Sequence, residues 1–273
     1  GDGDAGGSGL LLALRLPEHE AAADARRLLH TARLHPPYPS PSPPRLPSHR
    51  ADPRGAQPLR RPARTKTAEA VGDFRKTPIY IVGTDCNAKR NIAKLLANSI
   101  IYRYLCSEDL LEDVLGGKEA LAAFRESDEK GYLEVETEGL KQLTSMGSLV
   151  LCCGDGAVMN STNLGLLRHG VSIWIDVPLE LAVNDMLKSK GAQAISDPDS
   201  FSQAMAKLRQ RYDDLKERYA VSDVTVSVQN VASQLGYSSI DSLSLEDMVI
   251  EIVSRIEKLI QAKAMMEAAG KPE

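Results

Sequence analysis

A chain of 273 residues that is 42% hydrophobic can bury one or two cores, and its net charge of −4 is unevenly spread. Residues 1–70 carry 11 basic and 7 acidic side chains, whereas residues 71–273 carry 22 and 30, so the two parts hold +4 and −8. The acidic body argues against a nucleic-acid surface, and no run of 18 or more apolar residues is present to span a membrane. The four cysteines (Cys86, Cys106, Cys152, Cys153) match neither a disulfide framework nor a zinc pattern and suit a reducing compartment.

In chain order, the first 70 residues hold 11 of the 15 prolines and ten arginines among Ala, Ser and His, a composition that predicts no folded element. They read as an organelle transit peptide, with a disordered linker as the alternative; Asp2, Asp4, Glu18, Glu20 and Asp24 are unusual in such a peptide. From Lys76 onward, apolar runs alternate with helical patterns. Ile79–Val82, Leu149–Cys153, Val171–Val177 and Val224–Val228 predict strands buried on both faces of a parallel sheet. Between them, Lys89–Ser99, Ser107–Leu115, Lys118–Thr144, Leu179–Ser189 and Phe201–Tyr219 predict amphipathic helices, the last capped through Asp197-Pro198-Asp199-Ser200. A final helix from Ser244 to about Ala268 places Met248, Ile252, Ile256 and Leu259 on one face, which is expected to pack on the sheet and to leave the tail beyond Ala262 as a contact surface. The order predicts a three-layer α/β domain over residues 71–273, joined by right-handed crossovers.

Ligands of such sheets bind beyond the carboxyl ends of the strands. Two loops there carry chemistry. Gly83-Thr84-Asp85-Cys86-Asn87-Ala88-Lys89-Arg90 keeps the spacing of a phosphate-binding loop, with Gly83 and Lys89 in place. Ala88 replaces its second glycine, and Arg90 replaces the Ser or Thr that holds magnesium. Gly154-Asp155-Gly156-Ala157 follows the strand at Leu149; alone it is an ordinary strand-to-helix turn, and with the first loop it suggests a shared pocket.

At these residues, and at Ser172-Ile173-Trp174-Ile175-Asp176-Val177-Pro178-Leu179-Glu180, the chain from about Lys76 to Ile260 resembles the shikimate kinase family, and within it the inactive chloroplast branch of plants. The resemblance implies a P-loop nucleoside-monophosphate-kinase-like fold with a central five-stranded parallel sheet, a nucleotide site, a shikimate site and a lid. Position by position it also implies losses. The family's Asp-Ser-Asp corresponds to Cys106-Ser107-Glu108, its substrate-gripping arginines to Leu133 and Leu215, and its glycine triplet to Gly154-Asp155-Gly156, while Glu136 keeps an acidic side chain. The lid arginine has no counterpart in Gly191-Ala192-Gln193-Ala194-Ile195.

Each departure has a physical cost. Ala88 in a left-handed conformation would cost about 1–2 kcal/mol. Arg90 has no lone pair to offer a metal. Asp85 near a phosphate would repel it by roughly 4 kcal/mol per unit charge, and Asp155 would oppose an anionic substrate. Glu108 overreaches by about one ångström where positioning carries the chemistry, or simply opens its helix together with Ser107. Arg209, Arg211 and Arg218 are expected to be solvated. Taken together, Gly83, Ala88, Lys89 and Arg90 are expected to form a relict phosphate loop, and Glu108, Leu133, Glu136, Gly154, Asp155, Gly156 and Leu215 a relict substrate pocket, with no catalytic residue, no metal ligand and no cofactor beyond weak magnesium-independent nucleotide or anion binding.

The expected function is therefore that of a catalytically inactive shikimate kinase-like pseudokinase of the chloroplast stroma, serving chloroplast biogenesis through an unknown plastid protein or small ligand. The alternative is a divergent small-molecule kinase using ATP, with Lys89 and Arg90 standing in for metal charge and Glu108 as base. A third reading, a thiol switch between Cys86 and Cys106 across the vacated site, competes with ordinary core burial of those cysteines.

Overall fold

The computed structural model describes residues 77–190 and 197–269. The proline-rich segment 1–70 and the lid region Gly191–Ile195 lie outside the described residues. Five parallel strands, β1 (Ile79–Val82), β2 (Arg103–Cys106), β3 (Leu149–Cys152), β4 (Val171–Asp176) and β5 (Val224–Ser227), form one sheet in the order β2-β3-β1-β4-β5. Among the described residues the helices are α1 (Asn87–Ile100), α2 (Ser107–Leu115), α3 (Lys118–Ser127), α4 (Glu129–Leu143), α5 (Ser161–Leu167), α6 (Leu179–Lys190), α7 (Pro198–Tyr219), α8 (Val228–Gln234) and α9 (Leu245–Ala269).

The period-2 alternation of each strand divides the core. Ile79 and Ile81 of β1 point into a cluster with Ile92 and Leu96 of α1 and Ile252 and Ile256 of α9. Tyr80 and Val82 point the other way, into a cluster with Leu140 of α4, Leu167 of α5, and Leu215 and Tyr219 of α7. Helices thus cover both faces, which is why the strands read as continuous apolar runs. The apolar face of α9 packs as expected, with Met248, Ile252 and Ile256 buried and Leu259 partly so, while Met265 and Met266 are exposed. Its start is a reciprocal cap. The Asp247 N–H donates to Ser244 Oγ at 3.1 Å, and Ser244 N–H donates back to Asp247 Oδ2 at 3.1 Å.

The helices α5 and α8 have no counterpart in the residue pattern, which runs the last strand on to Val228, and two other elements differ from it. The fifth strand, β2, is a half-exposed edge strand of four residues, too short and too polar at Arg103 to show periodicity. The stretch Lys118–Thr144 is two helices rather than one, broken at Asp128. Asp128 donates its N–H to the Phe124 carbonyl to close α3 and accepts from Gly131 N–H at 2.8 Å to open α4. With the break, α3 brings Lys118 and Arg125 to the lining of the site described next.

Candidate functional site

The carboxyl ends of β1, β2 and β3 and the start of α1 surround a cavity of ≈ 430 Å³, lined among others by Asp85, Asn87, Arg90, Arg125, Arg211 and Tyr212. The turn at its base requires glycine at one end. Gly83 has φ +127°, and a Cβ there would come within 2.4 Å of the Ile175 carbonyl oxygen. Ala88, in contrast, lies within α1, which begins at Asn87, so it takes a right-handed helical conformation and the left-handed strain expected of it does not arise. The loop has become helix one residue before Ala88.

Lys89 is fully buried, and its ammonium is engaged by the protein itself. Nζ donates to the Gly83 and Cys153 carbonyl oxygens, each at 2.9 Å, and lies 3.6 Å from Asp85 Oδ1. Burial works to lower its pKa, but the charges of Cys152, Asp85 and Glu108 hold it well above the usual lysine range. At the α1 N-terminus the Asn87 N–H donates to Asp185 Oδ2 of α6 at 2.9 Å, and Lys89 N–H donates to Cys86 Sγ at 3.5 Å. The anion position at this helix start is thus filled by a carboxylate of the chain.

Arg90 is clamped by three carboxylates. Its Nε and one Nη bond the two oxygens of Asp85, each at 3.1 Å, the same Nη reaches Glu108 Oε2 at 2.8 Å, and the other Nη meets Asp109 Oδ1 at 2.5 Å. Asp85 is therefore no free repulsive charge: although burial would raise it, Lys89 and Arg90 hold its carboxyl below the usual range. Glu108 is driven up by burial and then by Asp85, against the pull of Lys89 and Arg90.

The chain of charges continues. Arg125 lies 3.8 Å from Glu108 Oε1 and 3.5 Å from Asp155 Oδ2, with its guanidinium 5.2 Å from the centre of the Tyr132 ring. Asp155 also accepts from Tyr219 Oη at 2.8 Å and Arg211 Nε at 3.2 Å. Two guanidiniums and a phenol neutralise the carboxylate that the sequence set against an anionic substrate. Arg211 is thus part of the site rather than solvated, whereas Arg209 and Arg218 are exposed, Arg218 also donating to the Val158 and Met159 carbonyls.

Glu136 has a different environment. It is 2% exposed, and neither carboxylate oxygen has a hydrogen-bond partner within the protein. It lies against the glycine turn, where a Cβ on Gly156 would fall 1.7 Å from Oε2, and a Cβ on Gly154 would stand 3.1 Å from both Glu136 Oε1 and Glu108 Oε1. Leu133 reaches the same turn, its Cδ2 3.1 Å from that Gly156 Cβ position. A leucine beside it supplies no donor. Burial, then the charge of Asp155, push Glu136 up to about 7.

The structure therefore brings together Gly83, Lys89, Arg90, Glu108, Gly154 and Asp155 and places Glu136, Gly156 and Leu133 directly behind them. Leu215 is apart: 4% exposed, it packs with Tyr219 and Val158 in the core. Asp109, Arg125, Asp185 and Arg211 belong to the site and were not singled out as members by the sequence. Arg211 stands one helical turn before Leu215 on α7, an i−4 spacing that puts a guanidinium on the neighbouring patch. Cys106 shares a buried core cluster with Cys86, in keeping with core burial of both, and lies in register with Cys152 on the adjacent strand.

Comparison with known proteins agrees with this architecture. The shikimate kinase family model matches residues 86–256. The chain belongs to the shikimate kinase family. It is 39% identical over 212 residues (76% of this chain, 72% of the relative) to an Arabidopsis thaliana protein named "Probable inactive shikimate kinase like 1, chloroplastic". It is 30% identical over 201 residues (71% of this chain, 65% of the relative) to shikimate kinase 2, chloroplastic, of Oryza sativa subsp. japonica. The fold is that of a solved shikimate kinase from Acinetobacter baumannii in complex with shikimate, with a TM-score of 0.52 at 21% identity over 72% of this chain and 98% of that one. Within the shikimate kinase fold, the cavity at the carboxyl edge of the sheet is where this chain concentrates its ionisable residues.

Proposed function

We propose that this protein is a non-catalytic shikimate kinase-like pseudokinase of the chloroplast stroma that serves chloroplast biogenesis by binding a plastid protein or a small ligand. The observation that carries the reading is the Arg90 guanidinium, seated among Asp85, Glu108 and Asp109 where the phosphate-loop pattern calls for a magnesium-holding hydroxyl. A guanidinium donates and never accepts, so it has nothing to offer a metal and repels one at that distance. Magnesium does not fit these residues. Phosphoryl transfer depends on positioning and charge stabilisation, and Lys89, the cation retained from the pattern, is already bonded to two carbonyls. Cys106, Leu133 and Leu215 at the family's functional positions, and the relatives named chloroplastic, support the same reading.

With Asp185 bonded to the start of α1, any nucleotide or anion binds weakly and without magnesium. The test is coupled detection of ADP with shikimate, ATP and Mg²⁺, together with calorimetry of ATP binding with and without the metal. The expected result is no turnover above the blank and no gain in affinity from Mg²⁺. Tight magnesium-dependent ATP binding with formation of a phosphorylated product would overturn the proposal.

A further inference from the structure

Two cysteines stand side by side beneath the Arg90 cluster. Cys106 ends β2, Cys152 ends β3, and the parallel pairing of these strands makes the two residues register partners. Neighbouring strands run about 4.8 Å apart and register partners project to the same face, which puts the pair inside the range of about 4.4–6.8 Å between Cα atoms that a disulfide accepts. Both belong to the same buried core cluster. The other two thiols are turned to different partners. Cys86 Sγ accepts from the Lys89 N–H, and Cys153, in the opposite cluster, donates to the Leu151 carbonyl at 3.6 Å. All four are free thiols. The neighbouring Cys106 thiol, and then Lys89, lower the pKa of Cys152 against burial, which makes Cys152 the better nucleophile of the pair.

We infer that Cys106 and Cys152 are a dithiol–disulfide pair, oxidised by disulfide exchange and seated where their cross-link reports to the charged cluster above them. The inference is independent of whether the pocket transfers phosphate. The chemistry balances with a disulfide oxidant, of which oxidised glutathione is the small representative. The Cys152 thiolate attacks one sulfur of that disulfide, forming a mixed disulfide and expelling one glutathione thiolate. Cys106 then releases its proton and attacks Cys152 Sγ, closing the intramolecular bond and expelling the second. Two protein thiols lose two electrons and two protons, and one glutathione disulfide becomes two thiols.

The position gives the bond a consequence. Cys106 immediately precedes α2, whose first turn presents Glu108 and Asp109 to Arg90, and Cys152 immediately precedes the Cys153 carbonyl that holds Lys89. Joining the ends of β2 and β3 sets the distance between these two clamps. Both thiols are nearly inaccessible, 4% and 1% exposed, so oxidation waits on opening of the cavity floor and is slow.

The experiment incubates the full chain with oxidised glutathione under native conditions, alkylates the remaining thiols, and maps tryptic peptides without reduction. The expected product joins the peptide Tyr104–Lys118 to the peptide Gln142–Arg168, with the four free thiols falling to two and returning on treatment with dithiothreitol. The double variant Cys86→Ser/Cys153→Ser, which keeps the pair, should cross-link as fully as the parent. Cys106→Ser and Cys152→Ser should each abolish that product. Near-UV circular dichroism of the oxidised protein should retain the native signature. A cross-link to Cys86 or Cys153 in the parent, a mixed disulfide that never resolves, four unchanged thiols after prolonged exposure, or a bond formed only in urea would each overturn the inference.

Discussion

At position 90 the chain places a cation of its own among three carboxylates. A Ser or Thr hydroxyl in that place would share a metal with neighbouring carboxylates; Arg90 instead meets Asp85, Glu108 and Asp109 directly, and no ion is needed to hold them. Arg90→Ser should strand three carboxylates and cost about 2 kcal/mol, less than a fully buried pair because Asp85 and Asp109 are partly exposed. Mg²⁺ should then raise the melting temperature of the variant and leave that of the parent unchanged, as read by differential scanning fluorimetry. Glu136 allows a second test. Its carboxyl sits at about 7 in the folded protein against an ordinary 4.5, so the folded state holds the proton more tightly than the unfolded one. Below about pH 4.5 both states are protonated and there is no cost. As pH rises toward 7 the folded state loses roughly 3 kcal/mol relative to the unfolded. Urea midpoints should fall from about pH 4.5 upward for the parent, and Glu136→Gln should remove the part of that fall complete by about pH 7 and leave the part due to Glu108, whose carboxyl is also driven up by burial; an unchanged slope in the variant would place the titration elsewhere.

At the scale of elements, the short ones are the least legible: β2, α5 and α8 are too brief for a period to show. The four apolar strands, α2, and the bounds of α1, α6, α7 and α9 to within about three residues follow from period and capping alone. Asp128 was invisible because aspartate is tolerated on an exposed helix face; only its double role as a closing N–H and an opening side chain makes it a break. Arg211 is hidden for a related reason: helical phase relative to Leu215 says nothing about Asp155 on the facing turn. Lys89, Arg90, Glu108 and Asp155 were found because a loop pattern fixes their spacing, whereas Arg125 and Asp185 come from helices that no local pattern aims at the pocket. One end carries visible strain. Ile101 closes α1 with φ +62° and is 85% exposed, a β-branched side chain in the left-handed region with no burial to offset it. Ile101→Gly keeps the bond from Tyr102 N–H to the Ala97 carbonyl and should raise stability by about 1 kcal/mol, measured as a higher urea midpoint at unchanged m-value.

Across the whole molecule, Asp109, Arg90, Glu108, Arg125, Asp155 and Arg211 form an alternating line of charge that joins α1, α2, α3, the Asp155 turn and α7. Each carboxylate that the sequence set against a phosphate or a substrate is matched by a guanidinium of the same chain. The helices around the pocket are therefore held together by ion pairs between the chain's own side chains. Removing one member should reopen the demand for a ligand. Asp155→Ala leaves Arg125 and Arg211 facing the cavity without their shared carboxylate and strips Tyr219 of its acceptor, at a cost of about 2 kcal/mol. Inorganic phosphate should then stabilise the variant in a concentration-dependent way, because an anion that binds only the folded state raises its melting temperature by mass action. The parent should show no such response. Equal phosphate stabilisation of both proteins would mean that Asp155 does not neutralise the two guanidiniums, and the pocket would retain an anion site of its own.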